Sequence, residues 1–370
     1  MVAYLENIFW LKALKWKSKG FEVRIAYFCA PMQQQFYKIR QNGYYGFIQA
    51  NGEVVIEPQY LEATGFQNGF ATVRLNGLWV LLDTAGRLYI KRLYRNIGVF
   101  SEGLARVQLA TLWGFVNTKG TAVIAPFFEH AGDFCEGLAP VTLDGQAGFI
   151  SPNGQFAHKP FFEQTGNFSE GLAPACKDNQ WGFVGKSGDF IITPQWDGAA
   201  SFQKQTAIVT RGGVWGLCDR AGKEVVTPQF EFVKGHALGE FFDGMALAFQ
   251  GGKYGFVSQE GRVAVPPIFD LAGDFGEGLA LVEINGAYGY IDKAGKLIIM
   301  PKFEDAGVFS DGLAQISANG RWGYINPEGQ ITIPPQFHAA APFEAGLALT
   351  VLDGKWQYIN RAGKVVWRED

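Results

Sequence analysis

Short apolar runs alternate along the chain with clusters of Gly, Asn and Asp, and the alternation keeps one period. Residues 281–284 read as a strand turned by Asn285-Gly286. Tyr288 to Ile291 read as a second strand, Asp292-Lys293-Ala294-Gly295 as its turn, and Leu297 to Ile299 as a third. Pro301 is expected to stop the third strand by removing a ladder donor. Asn-Gly suits a type I′ hairpin, in which both central residues need positive φ. The same turn recurs as Asn42-Gly43, Asn76-Gly77, Asp144-Gly145, Gly212-Gly213, Gly251-Gly252, Asn319-Gly320 and Asp353-Gly354. The second turn wants a small polar residue first and Gly fourth, as at Asp83 to Gly86, Asn117 to Gly120 and Asp219 to Gly222. In Trp113-Gly114-Phe115-Val116 the middle strand is apolar on both faces. One meander cannot cover both faces of its own middle strand, so neighbouring units must.

The units are visible as phased residues. An aromatic-Gly pair stands at Tyr45-Gly46, Trp113-Gly114, Trp181-Gly182, Trp215-Gly216, Tyr254-Gly255, Tyr288-Gly289 and Trp322-Gly323. Trp79-Val80 and Trp356-Gln357 keep the ring, and Ala147-Gly148 keeps the Gly. Every step is 34 residues except Trp215 to Tyr254, which is 39. A proline follows at 58, 126, 160, 194, 228, 267, 301 and 335, and repeat 2 lacks it. A second block, Phe-Ser-Glu-Gly-Leu-Ala, begins at Phe100 and Phe168, with variants at Phe134, Phe275 and Phe309.

The pattern predicts an all-β chain of ten three-stranded antiparallel meanders of about 34 residues. The array covers residues 36–370, with a five-residue insertion inside 231–241, and residues 1–35 form a divergent N-terminal segment. The expected architecture is an open, curved superhelix, a solenoid, with a closed β-propeller as the alternative. The first meander begins near Phe36 and the last ends at Trp367, leaving whole units at both ends. Propellers often split one blade between the termini and rarely reach ten blades. Residues 8–19 suit a basic amphipathic helix, read as a cap on the array or as sequence upstream of a start at Met32. A membrane-surface contact is the less favoured reading.

Composition agrees with many short strands and tight turns: 48 Gly, 32 Phe, 13 Tyr and 10 Trp. The net charge of −3 supplies no basic field for nucleic acid. Cys29, Cys135, Cys176 and Cys218 show neither CxxC spacing nor a dense framework, which argues against zinc and a disulfide scaffold. Lysines interrupt the apolar N-terminal stretch, unlike a secretory signal, so a cytoplasmic location is expected.

The blocks W-G-[FY]-[IV]-[DNS]-x-x-G, P-x-F-[ED] and F-S-E-G-L-A together resemble the WG-repeat family of bacterial proteins, over about residues 36 to 367. The resemblance implies a β-rich repeat array with a binding or scaffolding role, and it brings no catalytic residues. Repeats 2 and 5 fit the pattern least well, the latter reading Phe202-Gln203-Lys204-Gln205-Thr206-Ala207.

Register decides between chemistry and packing for the remaining candidates. Cys218 takes the Val/Ile slot of a middle strand, and Cys135 replaces the Ser of the second block. His130, His158, His236 and His338 fall at unrelated repeat positions, unlike clustered metal ligands. Two carboxylate ladders stand out: Glu129, Glu163, Asp197, Glu231, Asp270 and Glu304, and then Glu102, Glu136, Glu170, Asp243, Glu277 and Asp311. Calcium binding or paired-acid catalysis would use them. Recurrence in nearly every unit instead suits carboxylates that accept backbone N–H bonds within the connections. Gly185-Lys186-Ser187 resembles a P-loop ending but lies in a hairpin turn, and the Asn167-Phe168-Ser169 sequon is the repeat's own loop.

The sequence therefore predicts no catalytic residue, cofactor or metal. It predicts a non-enzymatic scaffold for protein partners, with carbohydrate binding through the aromatic-rich repeats as the alternative. Recognition is expected where repeats 5 and 6 depart from the rest, at Lys204, Gln205, Phe232, Lys234 and His236.

Overall fold

The computed structural model describes residues 35–67, 69–159, 161–232 and 241–369, with residues 90–93 described by their backbone alone. The N-terminal segment, with its expected helix, lies outside these residues.

The turn chemistry produces strands where the pattern put them. Asn42, Asn76, Asn285 and Asn319 hold φ between 50° and 53°, each followed by a positive-φ Gly. In the second turn the first residue caps its own loop: Asp219 Oδ1 accepts the N–H groups of Ala221 and Lys223, both at 2.9 Å. The strands assemble into ten antiparallel sheets, or blades, each built in chain order.

Among the described residues, six of the ten sheets have four strands, one more than the meander predicts. The extra strand comes from the connection. Asn96–Ser101 precedes and pairs with Leu104–Leu109, and Leu271–Gly276 does so with Leu279–Ile284. The Glu-Gly of the second block is thus itself a tight hairpin turn, with Glu102 at φ 51° and Gly103 at φ 80°. A glutamate in this left-handed region is strained relative to Asn or Gly.

The connection strands lie nearest the ring axis. Blades diverge with radius, so equivalent residues of neighbours come within bonding reach only near the centre. Ser101 Oγ donates to the Phe134 carbonyl at 2.5 Å and Ser310 Oγ to that of Phe343 at 2.6 Å, each 33 residues on.

The proline does not end the outer strand. Leu297–Phe303 runs through Pro301, as Val54–Tyr60 runs through Pro58. The outer strand bulges here: Tyr288 faces Phe303 and Tyr290 faces Ile299, so extra residues arch over Gly289. A Cβ on Gly289 would lie 2.5 Å from the Ile299 carbonyl oxygen and 2.7 Å from the Pro301 nitrogen. The aromatic-Gly pair and the proline are therefore one device. Gly admits the arch, and Pro sits on an edge strand where its missing N–H costs nothing.

The open superhelix is not what forms. Blade 10 packs face to face on blade 1, and the ten sheets close into a ring of β-propeller type. Tyr37, Ile39 and Ile48 share a core with Leu347 and Tyr358. Tyr358 Oη donates to the Lys38 carbonyl at 2.9 Å, and Tyr37 Oη to that of Ala345 at 2.7 Å. The rings of Tyr37 and Tyr358 meet edge to face with centroids 5.6 Å apart. Whole units at both ends did not preclude closure, because the seam joins two apolar faces and needs no shared strand. The other nine blades carry Ala where blade 1 carries Tyr37, from Ala71 to Ala348. That Tyr fills the seam.

Candidate partner-binding site

The first carboxylate ladder belongs to the fold's own bonding. Each member follows an outer strand and reaches the first hairpin turn of the next blade. Gly145 N donates to Glu129 at 3.2 Å, Asn179 N to Glu163 at 3.1 Å, Gly212 N to Asp197 at 2.7 Å and Gly320 N to Glu304 at 3.0 Å. Gly251 N donates to Glu231 at 3.2 Å. His338 does the same work, its Nδ1 accepting from Asp353 N at 3.3 Å. Lys253 pairs with Asp270 and holds that carboxyl below its ordinary value.

The second ladder ties each blade to the next. Gly137 N donates to Glu102 at 2.9 Å, Gly171 N to Glu136 at 3.0 Å, Gly278 N to Asp243 at 2.7 Å and Gly312 N to Glu277 at 2.9 Å, each 35 residues on. Gly346 N donates to Asp311 in the same way. Cations from the neighbouring blade's second turn join several of them: Lys293 to Asp243 and Arg361 to Asp311 at 2.8 Å, and Lys186 to Glu136 and Arg220 to Glu170 at 3.7 Å. The strained Glu conformation is held by these bonds to the next blade. Lys186, from the segment resembling a P-loop, is one of these ties.

Lys204 and Gln205 occupy the same turn, at φ 45° and 74°. Gln205 N and Nε2 donate to Glu170 at 2.9 and 3.1 Å. Where other turns set an acid against a cation, this one reverses the signs, because the matching turn of blade 7 carries Glu260. The Glu260 carboxyl is lowered by its local polar surroundings and also by the charge of Lys204. Asp243 is lowered chiefly by Lys293, with Lys204 contributing. The departure at Lys204 is thus a charge exchange within an interface. Phe232 is 47% exposed. Lys234 and His236 lie outside the described residues, so the five candidates are not brought together as one site.

The thiols are packed as register predicts. Burial pushes Cys218 up to about 12, and burial with Glu163 beside it pushes Cys176 to about 11. Cys135 is raised as well, chiefly by burial. None of the three is poised as a thiolate nucleophile. His158 fills the slot that Ile124 and Ile192 fill in neighbouring blades, beneath the turn glycine of the next one.

Sequence reasoning missed a cleft of about 540 Å³ between blades 2 and 3, lined by Arg74, Leu78, Trp79, Arg95, Asn96 and Leu109 among others. Arg74 stacks on Trp79 at 5.9 Å and pairs with Glu62 at 2.6 Å. The signal was present in the sequence, because Arg95 stands 34 residues before Glu129 in the first ladder.

The outer strands present a different surface. Val225, Val263, Ile298 and Ile331 are exposed on successive blades, with Ile191 and Ile268 at 61% and Met300 at 65%. Polar residues such as Thr227, Lys302 and Gln336 alternate with them. The repeat tryptophans are half-buried or buried against the outer strands, as Trp215 is against Phe230, with centroids 5.1 Å apart.

Among solved structures the chain is similar to a eukaryotic initiation factor, at 11% identity over 91% of this chain and 96% of that one, with a TM-score of 0.49. It is also similar to the dihydro-heme d1 dehydrogenase NirN, at 11% identity over 91% and 73%, with a TM-score of 0.42. Hsv2 of Kluyveromyces lactis matches at 8% identity over 67% and 89%, with a TM-score of 0.34. No curated protein matches the chain. The family described as WG containing repeat matches nine times in tandem, over 45–79, 81–110, 113–146, 148–181, 181–215, 215–254, 254–286, 288–322 and 322–356. With the match spanning most of the array, the chain belongs to the WG-repeat family.

Proposed function

We propose that the protein is a non-enzymatic binding scaffold whose partners are proteins. The observation that carries this reading is the outer surface, where exposed aliphatic side chains at Ile191, Ile268, Ile298, Met300 and Ile331 interleave with polar ones. Such mixed surfaces suit protein contacts, and the exposed rings of Tyr44, Phe127 and Phe161 are the ones a sugar platform would use. Both carboxylate ladders are engaged in holding blades together, which supports reading them as structure and not as acid catalysts or calcium ligands. The segment between Phe232 and Phe241 remains the sequence departure best placed to add individuality. A cytoplasmic location would keep the described cysteines as the free thiols they are.

The test pairs capture of partners from the native host with variants. The double variant Ile268→Lys, Met300→Glu should lose the captured partner while remaining folded. Shortening the 231–241 connection by five residues should weaken the same partner at least about tenfold. Retention of the partner by both variants would refute this placement. Binding on a glycan array with no protein captured would favour the carbohydrate reading.

A further inference from the structure

Arg95 stands where the rest of the ring keeps an acceptor. Its own backbone is placed as in the ladder: Arg95 N donates to the Gln108 carbonyl at 2.8 Å, as Glu129 N does to Thr142 at 2.9 Å and Asp197 N to Thr210 at 2.9 Å. In those blades the side chain then accepts the N–H of the next hairpin turn. The corresponding turn in blade 3 is Ala110-Thr111, exposed, with Ala110 at φ 54°. The amide that a ladder carboxylate would cap is that of Thr111, and no acceptor for it is found among the described residues. The fold has made a carboxylate site here and has replaced the carboxylate with a guanidinium.

Arg95 and Ala110, the residue before Thr111, both line one cleft. Arg95 supplies a planar fork of donors, and no acidic partner for it is found among the described residues. Arg74 adds a second guanidinium, whose charge Glu62 offsets. Leu78, Leu109 and the half-buried ring of Trp79 supply an apolar wall, and about 540 Å³ leaves room for more than the carboxylate itself.

We propose that the cleft between blades 2 and 3 binds a carboxylate carried on an apolar group, as a peptide presents at its C-terminus or on an acidic side chain beside apolar residues. Arg95 and the Thr111 amide take the oxygens, and Leu78, Trp79 and Leu109 take the apolar part. This deepens the protein-partner reading, on which only the macromolecular source of the carboxylate rests.

The test uses the full chain and small probes. N-acetyl-leucine, its amide, N-acetyl-aspartic acid α-amide and inorganic phosphate are titrated while NMR follows the Thr111 amide and the Arg95 Nε–H. A saturable shift of both signals by N-acetyl-leucine, with none from its amide, is expected. A stronger response to the aspartic probe would assign the source to a side chain instead of a terminus. Arg95→Ala should weaken binding at least about tenfold. Arg95→Glu should abolish binding without lowering the melting temperature, because the protein then fills the site with its own carboxylate. No saturable shift from either carboxylate, an equal response to phosphate, or unchanged binding by Arg95→Glu would overturn the proposal. Failure here with a partner still captured would sink this site alone. Probe binding with no partner captured would sink the scaffold reading alone.

Discussion

Blades 9 and 2 have the same length and turn pattern but solve the same packing problem differently. In blade 9, Trp322 faces Phe337 and Tyr324 faces Ile333, so the outer strand arches over Gly323 and carries Pro335. In blade 2 the glycine is Val80, fully buried, and the outer strand Leu88–Tyr94 has no proline. Blade 10 makes the same exchange. Gln357 replaces the glycine, and the outer strand Val365–Arg368 sets Arg368 directly opposite it. Glycine and proline are thus kept or lost together, whereas the register shift is not lost with them, since blade 2 still sets Trp79 opposite Tyr94 and Leu81 opposite Tyr89. The ladder differs too: Glu304 caps the turn that follows blade 8, while Arg95 leaves the turn after blade 2 uncapped.

The largest effect should come from forcing blade 2's solution onto blade 9. A side chain at Gly323 would meet the Ile333 carbonyl oxygen at 2.5 Å and the Pro335 nitrogen at 2.6 Å, both backbone atoms that cannot swing away. Gly323→Val should cost about 3 kcal/mol or more, read by denaturant unfolding. A loss below about 1 kcal/mol would mean the arch is pliable and the pairing of Gly with Pro incidental. The reverse exchange, Val80→Gly, empties a buried site and frees the backbone. It should cost about 2 kcal/mol, less than Gly323→Val.

The second turns of the two blades separate them by pH. Blade 2 has Asp83 where blade 9 has Asn326. Burial pushes the Asp83 carboxyl up, but the Arg87 and Ala85 N–H groups, the Arg87 guanidinium and the Tyr89 hydroxyl outweigh it and bring it below its ordinary value. A carboxyl with a depressed folded pKa stabilises fully above its unfolded pKa and loses that contribution as pH falls through the folded one. Asp83→Asn should therefore cost about 1 kcal/mol at neutral pH and flatten the acid side of the stability profile. A profile unchanged by the substitution would show that the Arg87 contact contributes nothing.

The smallest effect tests the exchanged charges. Lys204→Glu places a third carboxylate beside Asp243 and Glu260, and should cost under about 1 kcal/mol at this exposed site. Adding Glu260→Lys should restore most of it, and a double-mutant cycle with no coupling would reject the pairing.

Much of this was legible in the sequence. The 34-residue period, the Asn-Gly and Asp-x-x-Gly turns and the doubly buried middle strand each rest on local chemistry that single residues carry. The fourth strand was hidden because it is short, as at His130–Ala131, and leads into a Glu-Gly turn that no ordinary turn preference suggests. Closure was hidden for a different reason. A full turn shared by ten blades is 36° each, and a rotation that small is spread over many side chains with no residue to mark it. Only the seam left a mark, at Tyr37 in a column of alanines. Of the five residues expected to recognise a partner, Gln205 bonds to Glu170 of the preceding blade and the charge of Lys204 acts on Asp243 and Glu260, and departure from the repeat alone does not distinguish such roles from binding. The cleft at Arg95 was missed because its residues come from two blades.

The central claim is that blade 10 packs on blade 1. Asn51 and Lys364 line the same gap across that seam, and both are exposed. Spin labels at these two positions give the most direct reading, measured by double electron–electron resonance after Cys135→Ser, the residue that Ser101, Ser169 and Ser310 supply in other second blocks, and Cys29→Ser. Cys176 and Cys218 are buried with raised pKa values and should resist labelling in the folded protein. Packed sheets lie about 10 Å apart, so the closed ring predicts one narrow distance peak below about 25 Å. An open array would hold the labels at the two ends of ten stacked sheets, and a peak beyond about 50 Å would contradict the ring.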